Sequence, residues 1–220
     1  MEFPAYELIS SHSLAMDLGR PFQALFPTVD SAVLAVLAES TKPRTGRELA
    51  RLAERSQGAT QQVLNRLVIH GLVLQREAGR ARVYELNREH LAARPIAELA
   101  NLRSLLFSGL RQSVLFWLIP PVHVSVFGST ARGEGDIDSD VDIFLVRPGG
   151  VDEDDEKWRA QVDAFADEIF KMTGNHAGIA EVGEKELSRL RRDQPAILDS
   201  LRSDAIGIAG TPLPNLLRRT

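Results

Sequence analysis

The stretch from Val126 to Val146, VFGSTARGEGDIDSDVDIFLV, constrains this chain more than any other. It places a Gly-Ser pair at Gly128-Ser129, then ten residues, then Asp140 and Asp142 entering an apolar run that reads as a strand. Residues two apart in a strand share a face, so the two carboxylates stand side by side. At about 5 Å and an effective dielectric near 20 they repel by roughly 3 kcal/mol. Such an arrangement calls for a positive species between them, and Mg²⁺ carrying a nucleoside triphosphate fits best.

The residues before the pair supply a place for the phosphates. HVSVF (123–127) alternates and is rich in β-branched residues, so it reads as a strand that ends at the turn. Gly128 has no Cβ and lets backbone approach a ligand, and Ser129 adds a hydroxyl. The following segment can open a short helix whose free N–H groups face an anion. Arg132 can pair with a phosphate oxygen or with a nearby acid, and Ser139 can face the nucleotide or cap the turn. Asp136 and Asp138 read as solvated turn residues. A calcium loop starting at Asp136 is excluded, because its turn position would hold Val141 and its twelfth position Arg147.

The string G-S-x10-D-x-D, with Ala131-Arg132-Gly133 and Ser139-Asp140 inside it, resembles the minimal nucleotidyltransferases of the DNA polymerase β superfamily, over roughly Pro120 to the C-terminus. The resemblance implies two Mg²⁺ ions (or Mn²⁺) on Asp140 and Asp142, with Gly128, Ser129, Arg132 and Ser139 at the nucleotide, expected to be ATP. It also implies a third carboxylate on a later strand, serving as metal ligand and base. The corresponding segment is HAGIAEV (176–182), whose acid is Glu181, where the family more often has Asp. Glu181 reads equally as a solvent-facing strand residue.

Charge is unevenly spread over the 220 residues. The net charge of −4 argues against gross attraction to nucleic acid, yet Lys42–Arg82 holds nine basic residues and three acidic ones, while Glu134–Glu156 holds ten acidic ones and Arg147. Such asymmetry suggests two modules with different partners. In the basic module, Val29–Ala38 reads as a core helix. Thr45-Gly46-Arg47-Glu48 is a capping box for a second helix, and Gln61–His70 forms a third that stops at Gly71. LVLQRE (72–77) and ARVYEL (81–86) flank the turn Ala78-Gly79-Arg80 as a hairpin.

LVIHGLVLQREAGRARVYELN is similar to winged helix-turn-helix repressors of the arsenical-repressor type. That resemblance implies double-stranded DNA as a partner. The third helix would present Thr60, Gln61, Gln62, Asn65 and Arg66 to a major groove, with Arg80 and Arg82 on phosphates. It equally allows a protein–protein module, and it implies a homodimer reading two half-sites.

Between the modules, Leu99, Leu102, Leu106, Leu110, Val114 and Trp117 recur at helical spacing and predict one long amphipathic helix, a core element or dimer seam. The expected architecture is α/β of the α+β type. A winged helix-turn-helix covers 1–92 (residues 1–12 loose), a connecting helix 93–119, and a nucleotidyltransferase fold with a small mixed sheet flanked by helices 120–220. Trp158, Val162, Phe165, Ile169 and Met172 mark a helix ending near Gly174. Beyond Glu184 a helix is punctuated by Pro195 and followed by AIGIAG.

No apolar run is long enough to cross a membrane, and Glu2 and Glu7 stand where a signal peptide needs positive charge. With no cysteine, a cytoplasmic location is expected. About seventy-eight residues follow Asp142, too few for fingers or a thumb, so template-directed polymerisation is not expected. A protein hydroxyl, such as one on a partner toxin, or a small-molecule hydroxyl fits as acceptor. The competing expectation is a transcriptional regulator whose nucleotidyltransferase domain only senses nucleotide.

Overall fold

A computed structural model describes residues 15–187, 189 and 195–218. The first twelve residues, expected to be loose, lie outside that set, as does the segment just before Pro195. The chain divides into two compact units, Arg20–Leu106 and a second made of Phe107–Thr220 with the residues up to Gly19.

In the first unit, α1 (Pro21–Leu25) precedes α2 (Val29–Glu39), which Thr28 caps through the Ser31 amide. A short β1 (Arg44–Thr45) leads into α3 (Gly46–Leu52). The predicted capping box is present there: the Glu48 amide donates to Thr45 Oγ1 at 3.2 Å, and the Thr45 amide to Glu48 Oε2 at 2.8 Å. α4 (Gln57–Ile69) begins four residues earlier than the sequence periodicity suggests, because Ser56 caps it, and Gly71 (φ +74°) turns the chain away after it.

β2 (Val73–Ala78) and β3 (Ala81–Leu86) form the predicted hairpin around Gly79 (φ +63°), and β1 pairs with β3, giving the order β1-β3-β2. Ala32, Val33, Leu37, Leu49, Leu64, Val73 and Tyr84 are buried at the centre of this unit. Each buried aliphatic side chain there contributes about 1.5–3 kcal/mol by leaving water.

The predicted long connecting helix is two helices. α5 (Ala93–Ala100) ends at Asn101 (φ −107°, ψ 25°), and α6 (Leu102–Leu115) starts afresh. The apolar spacing runs through the break because a single non-helical residue shifts the stripe only slightly. The Asn101 amide is satisfied by the Ala97 and Glu98 carbonyls, so leaving the helix there strands no donor.

The second unit is built on the sheet β6-β5-β4-β7. β4 (His123–Val126) lies antiparallel to β5 (Val141–Arg147) and to β7 (Ile206–Gly210), whereas β5 runs parallel to β6 (Ala177–Gly183). It is thus a small mixed sheet, as expected, and β7 is the AIGIAG segment. Parallel pairing needs a crossover, supplied by α8 (Glu156–Thr173). Asp155 caps α8 by accepting from the Lys157 and Trp158 amides, and Gly174 (φ +73°) ends it. Its buried face is Trp158, Val162, Phe165 and Ile169, while Met172 at the end of the predicted stripe is partly exposed.

β5 is buried on both faces from Ile143 to Val146, which explains its unbroken apolar sequence. A 3-10 turn (Glu184–Glu186), α9 (Pro195–Asp204) and α10 (Leu213–Arg218) complete the unit. Leu187, Leu198, Leu201, Leu213 and Leu216 pack over Phe144 and Val146.

Candidate functional site

Antiparallel pairing brings the end of β4 beside the start of β5: Val126 is opposite Ile143, and the Phe127 amide donates to the Asp142 carbonyl at 3.0 Å. The chain leaves β4 through Gly128 (φ +68°) into α7 (Gly128–Arg132), closed by Gly133 (φ +79°). A β-carbon on Gly128 would overlap the Asp142 carboxylate, so glycine is required both for the backbone conformation and for the space. The carboxylate of Asp142 and the backbone of the Gly128 turn therefore face each other.

On the other side, β6 carries Gly178 opposite Asp142 in register. A β-carbon built there would lie 3.2 Å from Asp142 Oδ1 and 3.8 Å from Asp140 Cβ. One small volume thus gathers both aspartates, flanked by two glycines. Burial, and then the neighbouring Asp140 charge, push the Asp142 carboxyl above the ordinary aspartate range, with the Arg132 guanidinium opposing them. The half-buried carboxylate of Asp142 and the exposed one of Asp140 offer hard oxygens that fit a divalent cation of the Mg²⁺ type, and no third His, Cys, Asp or Glu joins them in a cluster among the described residues.

The other expected nucleotide contacts are partly engaged. Arg132 donates through Nε to Glu134 Oε2 at 2.7 Å and through one terminal nitrogen to Asp204 Oδ2 at 2.5 Å. The Ser139 hydroxyl donates to Asp136 Oδ1 at 2.7 Å, and Asp136 Oδ1 also accepts from the Asp138 amide. Ser139 is thus tied into the turn, and Asp136 and Asp138 are turn residues as expected. Sequence reasoning missed Asn175, which is buried and donates to the Ser139 carbonyl at 2.9 Å and to that of Asp136 at 3.4 Å. It pins the loop that delivers Asp140. Its signal was its place in the Thr173-Gly174-Asn175 turn, where polar side chains commonly bond neighbouring backbone.

Glu181 is not part of this site. It pairs with Leu145, an odd number of residues along the strand from the Asp142–Gly178 pair, so it projects from the opposite face of the sheet. There its carboxylate accepts from Trp158 Nε1 at 2.9 Å and lies 2.9 Å from Arg147 Nε. That second contact is an ion pair by distance whose N–H is not aimed at the oxygen, and Arg159 stands 3.7 Å away. Glu181 is a fastener between β5, β6 and α8. The position facing the aspartates belongs to Gly178, and only the strand register distinguishes the two.

Residues 109–197 match the family model described as Nucleotidyltransferase domain. This segment is a nucleotidyltransferase domain. The match contains Gly128, Ser129, Asp140 and Asp142 with the two strands around them, and it supports a transferase. Among solved structures, a Sulfolobus solfataricus protein titled as a nucleotidyltransferase aligns at 19% identity, over 51% of this chain and 91% of that one, with a TM-score of 0.32. So distant a likeness carries no argument, and the assignment rests on the family match. Curated proteins yield no match.

Outside the nucleotidyltransferase domain, α4 carries the other expected contact residues. Gln62, Asn65 and Arg66 are exposed, and Gln61 is half-buried, donating to Asn65 Oδ1 at 2.8 Å and to the Tyr84 hydroxyl at 3.0 Å. Arg66 is paired with Asp30. Arg80 and Arg82 are exposed at the hairpin end. Thr60 departs from expectation: it is fully buried, in helical phase with Val63, Leu64 and Leu67. The earlier start of α4 sets that phase and leaves Gln57, not Thr60, exposed on its first turn.

Proposed function

We propose that this protein transfers a nucleoside monophosphate from a magnesium-bound nucleoside triphosphate, with ATP as the expected donor, to an acceptor hydroxyl. The observation that carries the reading is the crowding of Asp142 against the Gly128 turn with the Asp140 charge beside it, inside the segment that matches the nucleotidyltransferase family. Asp140 and Asp142 would hold Mg²⁺, which supplies positive charge against the triphosphate and the departing pyrophosphate.

The Gly128 turn gives phosphate oxygens close access to backbone, and Ser129 adds a donor beside it. Arg132 reaches a phosphate by exchanging its bond to Glu134 or Asp204. The acceptor oxygen forms a bond to the α-phosphorus, the bond from that phosphorus to the β-bridging oxygen breaks, and pyrophosphate leaves with the electron pair. The acceptor proton passes to water. The acceptor is a hydroxyl on a partner protein such as a toxin, or on a small molecule.

The first unit we read as a winged helix that binds double-stranded DNA as a homodimer. Supporting this are the helices α2, α3 and α4 followed by a hairpin, exposed Gln62, Asn65 and Arg66 on α4, and Arg80 and Arg82 at the hairpin end. Replacing both wing arginines by alanine is expected to lower the salt slope of DNA binding by about 2. An unchanged slope overturns the wing assignment.

The position of Gly178 where a third carboxylate would stand favours a second reading, a regulator that binds nucleotide without transferring it. Incubation with α-labelled ATP, Mg²⁺ and cell lysate separates the two. Label appearing on an acceptor with wild-type protein and absent with Asp140→Asn supports transfer. Tight nucleotide binding with no labelled product supports the regulator.

A further inference from the structure

We infer that the Asp140–Asp142 site takes one divalent cation, the one that carries the triphosphate, and that the described residues offer no carboxylate of their own to a second. The inference rests on the nucleotidyltransferase reading above and departs from the two-ion expectation raised by the sequence. A second ion nearer the acceptor is held best by a protein oxygen of its own on the far side of the pair. Here that far side is backbone. The residue in register with Asp142 is Gly178, and a β-carbon at Gly178 would already lie 3.2 Å from Asp142 Oδ1.

The next residue on that face of β6 is Ala180, in register with buried Phe144, and it too carries no oxygen donor. Glu181 points from the other face, roughly 10 Å further along the strand, and is held by Trp158 and Arg147. Freeing it would leave the buried Arg147 guanidinium without its carboxylate. Of the other acids described around the site, Glu134 and Asp204 sit on Arg132, and Asp136 is closed into its turn with Ser139. Two carboxylates, phosphate oxygens and water would suffice to hold one Mg²⁺. They would leave a second ion with shared oxygens and no protein ligand of its own.

Manganese reports the count directly. The full-length protein, saturated with a non-hydrolysable ATP analogue, is titrated with Mn²⁺, free ion is measured by electron paramagnetic resonance, and the bound spectrum is recorded. The expected result is one Mn²⁺ per chain above that held by free analogue controls, with an uncoupled mononuclear spectrum. Two ions per chain with an exchange-coupled spectrum overturns the inference and leaves the nucleotidyltransferase reading intact. Absence of both Mn²⁺ and analogue binding overturns that reading itself.

Gly178→Asp is the constructive variant. It places a carboxylate beside Asp142, which must give by a few tenths of an ångström, and in a chain with wild-type circular dichroism it is expected to raise the count to two. A folded Gly178→Asp protein that still takes one ion contradicts the claim that this missing carboxylate sets the limit.

Discussion

Asp142 pits function against stability at a single residue. Its carboxylate is half-buried beside a second one, which raises its pKa in the folded chain, so the ionised form weakens the fold. The raw repulsion of roughly 3 kcal/mol shrinks to about 1 kcal/mol once water at the exposed Asp140 is allowed for. Asp142→Asn is therefore expected to raise the metal-free Tm by about 2–4 °C in a chain of this size while abolishing magnesium-supported nucleotide binding. A lower Tm in calorimetric scans contradicts this assignment of cost. Glu181 shows the reverse balance. Glu181→Gln keeps an acceptor for Trp158 but strips the charge facing buried Arg147, so it is expected to cost about 2 kcal/mol in urea unfolding with nucleotide affinity unchanged. A tenfold loss of affinity in a folded Glu181→Gln protein would return Glu181 to the site. The aspartate pair was legible in the sequence because its spacing is local. The face of Glu181 was not, because it depends on how β6 registers against β5, a long-range fact decided by core packing.

At the scale of elements, the turn after β4 carries the most specific demand. Gly128 sits at φ +68° with Asp142 against its Cα, so Gly128→Ala combines a left-handed backbone cost of about 1 kcal/mol with a steric clash at the carboxylate. The expected outcome is a fall in nucleotide affinity of at least tenfold, read by equilibrium dialysis with labelled ATP; retained affinity removes the turn from the site. Elements announced by local chemistry were readable: the Thr45–Glu48 box, the hairpin around Gly79, and α8 between Asp155 and Gly174. Those that depend on competition were not. Ser56 won the N-cap of α4 and so rotated Thr60 into the core, and Asn101 divided a stripe that reads as continuous. AIGIAG gave little hint of a strand because its edge position on the sheet comes from pairing with β4.

Across the whole molecule, pH sets stability through a buried histidine. His123 on β4 is buried, its Nδ1 lies 2.8 Å from the Thr211 carbonyl, and burial, against that carbonyl, holds its pKa below the ordinary value. Between its unfolded pKa near 6.5 and the depressed folded value, the unfolded chain binds the extra proton, so stability is full above that window and falls as pH drops through it. Thermal scans from pH 7.5 to 5.5 should show Tm falling, with a shallower fall in His123→Gln; equal slopes rule His123 out as the cause. Asp142, whose folded pKa is raised, acts in the opposite sense and at lower pH. The basic Lys42–Arg82 stretch lies within the Arg20–Leu106 unit and the acidic Glu134–Glu156 stretch within the other. The central claim is that Asp140 and Asp142 share a cation and a polyphosphate with the Gly128 turn. Isothermal titration of the full-length protein with a non-hydrolysable ATP analogue, with Mg²⁺ and then with chelator, tests it most directly. The account predicts saturable heat only with Mg²⁺, lost in Asp140→Asn; no magnesium-dependent uptake by the wild-type protein, or equal uptake by Asp140→Asn, would contradict it.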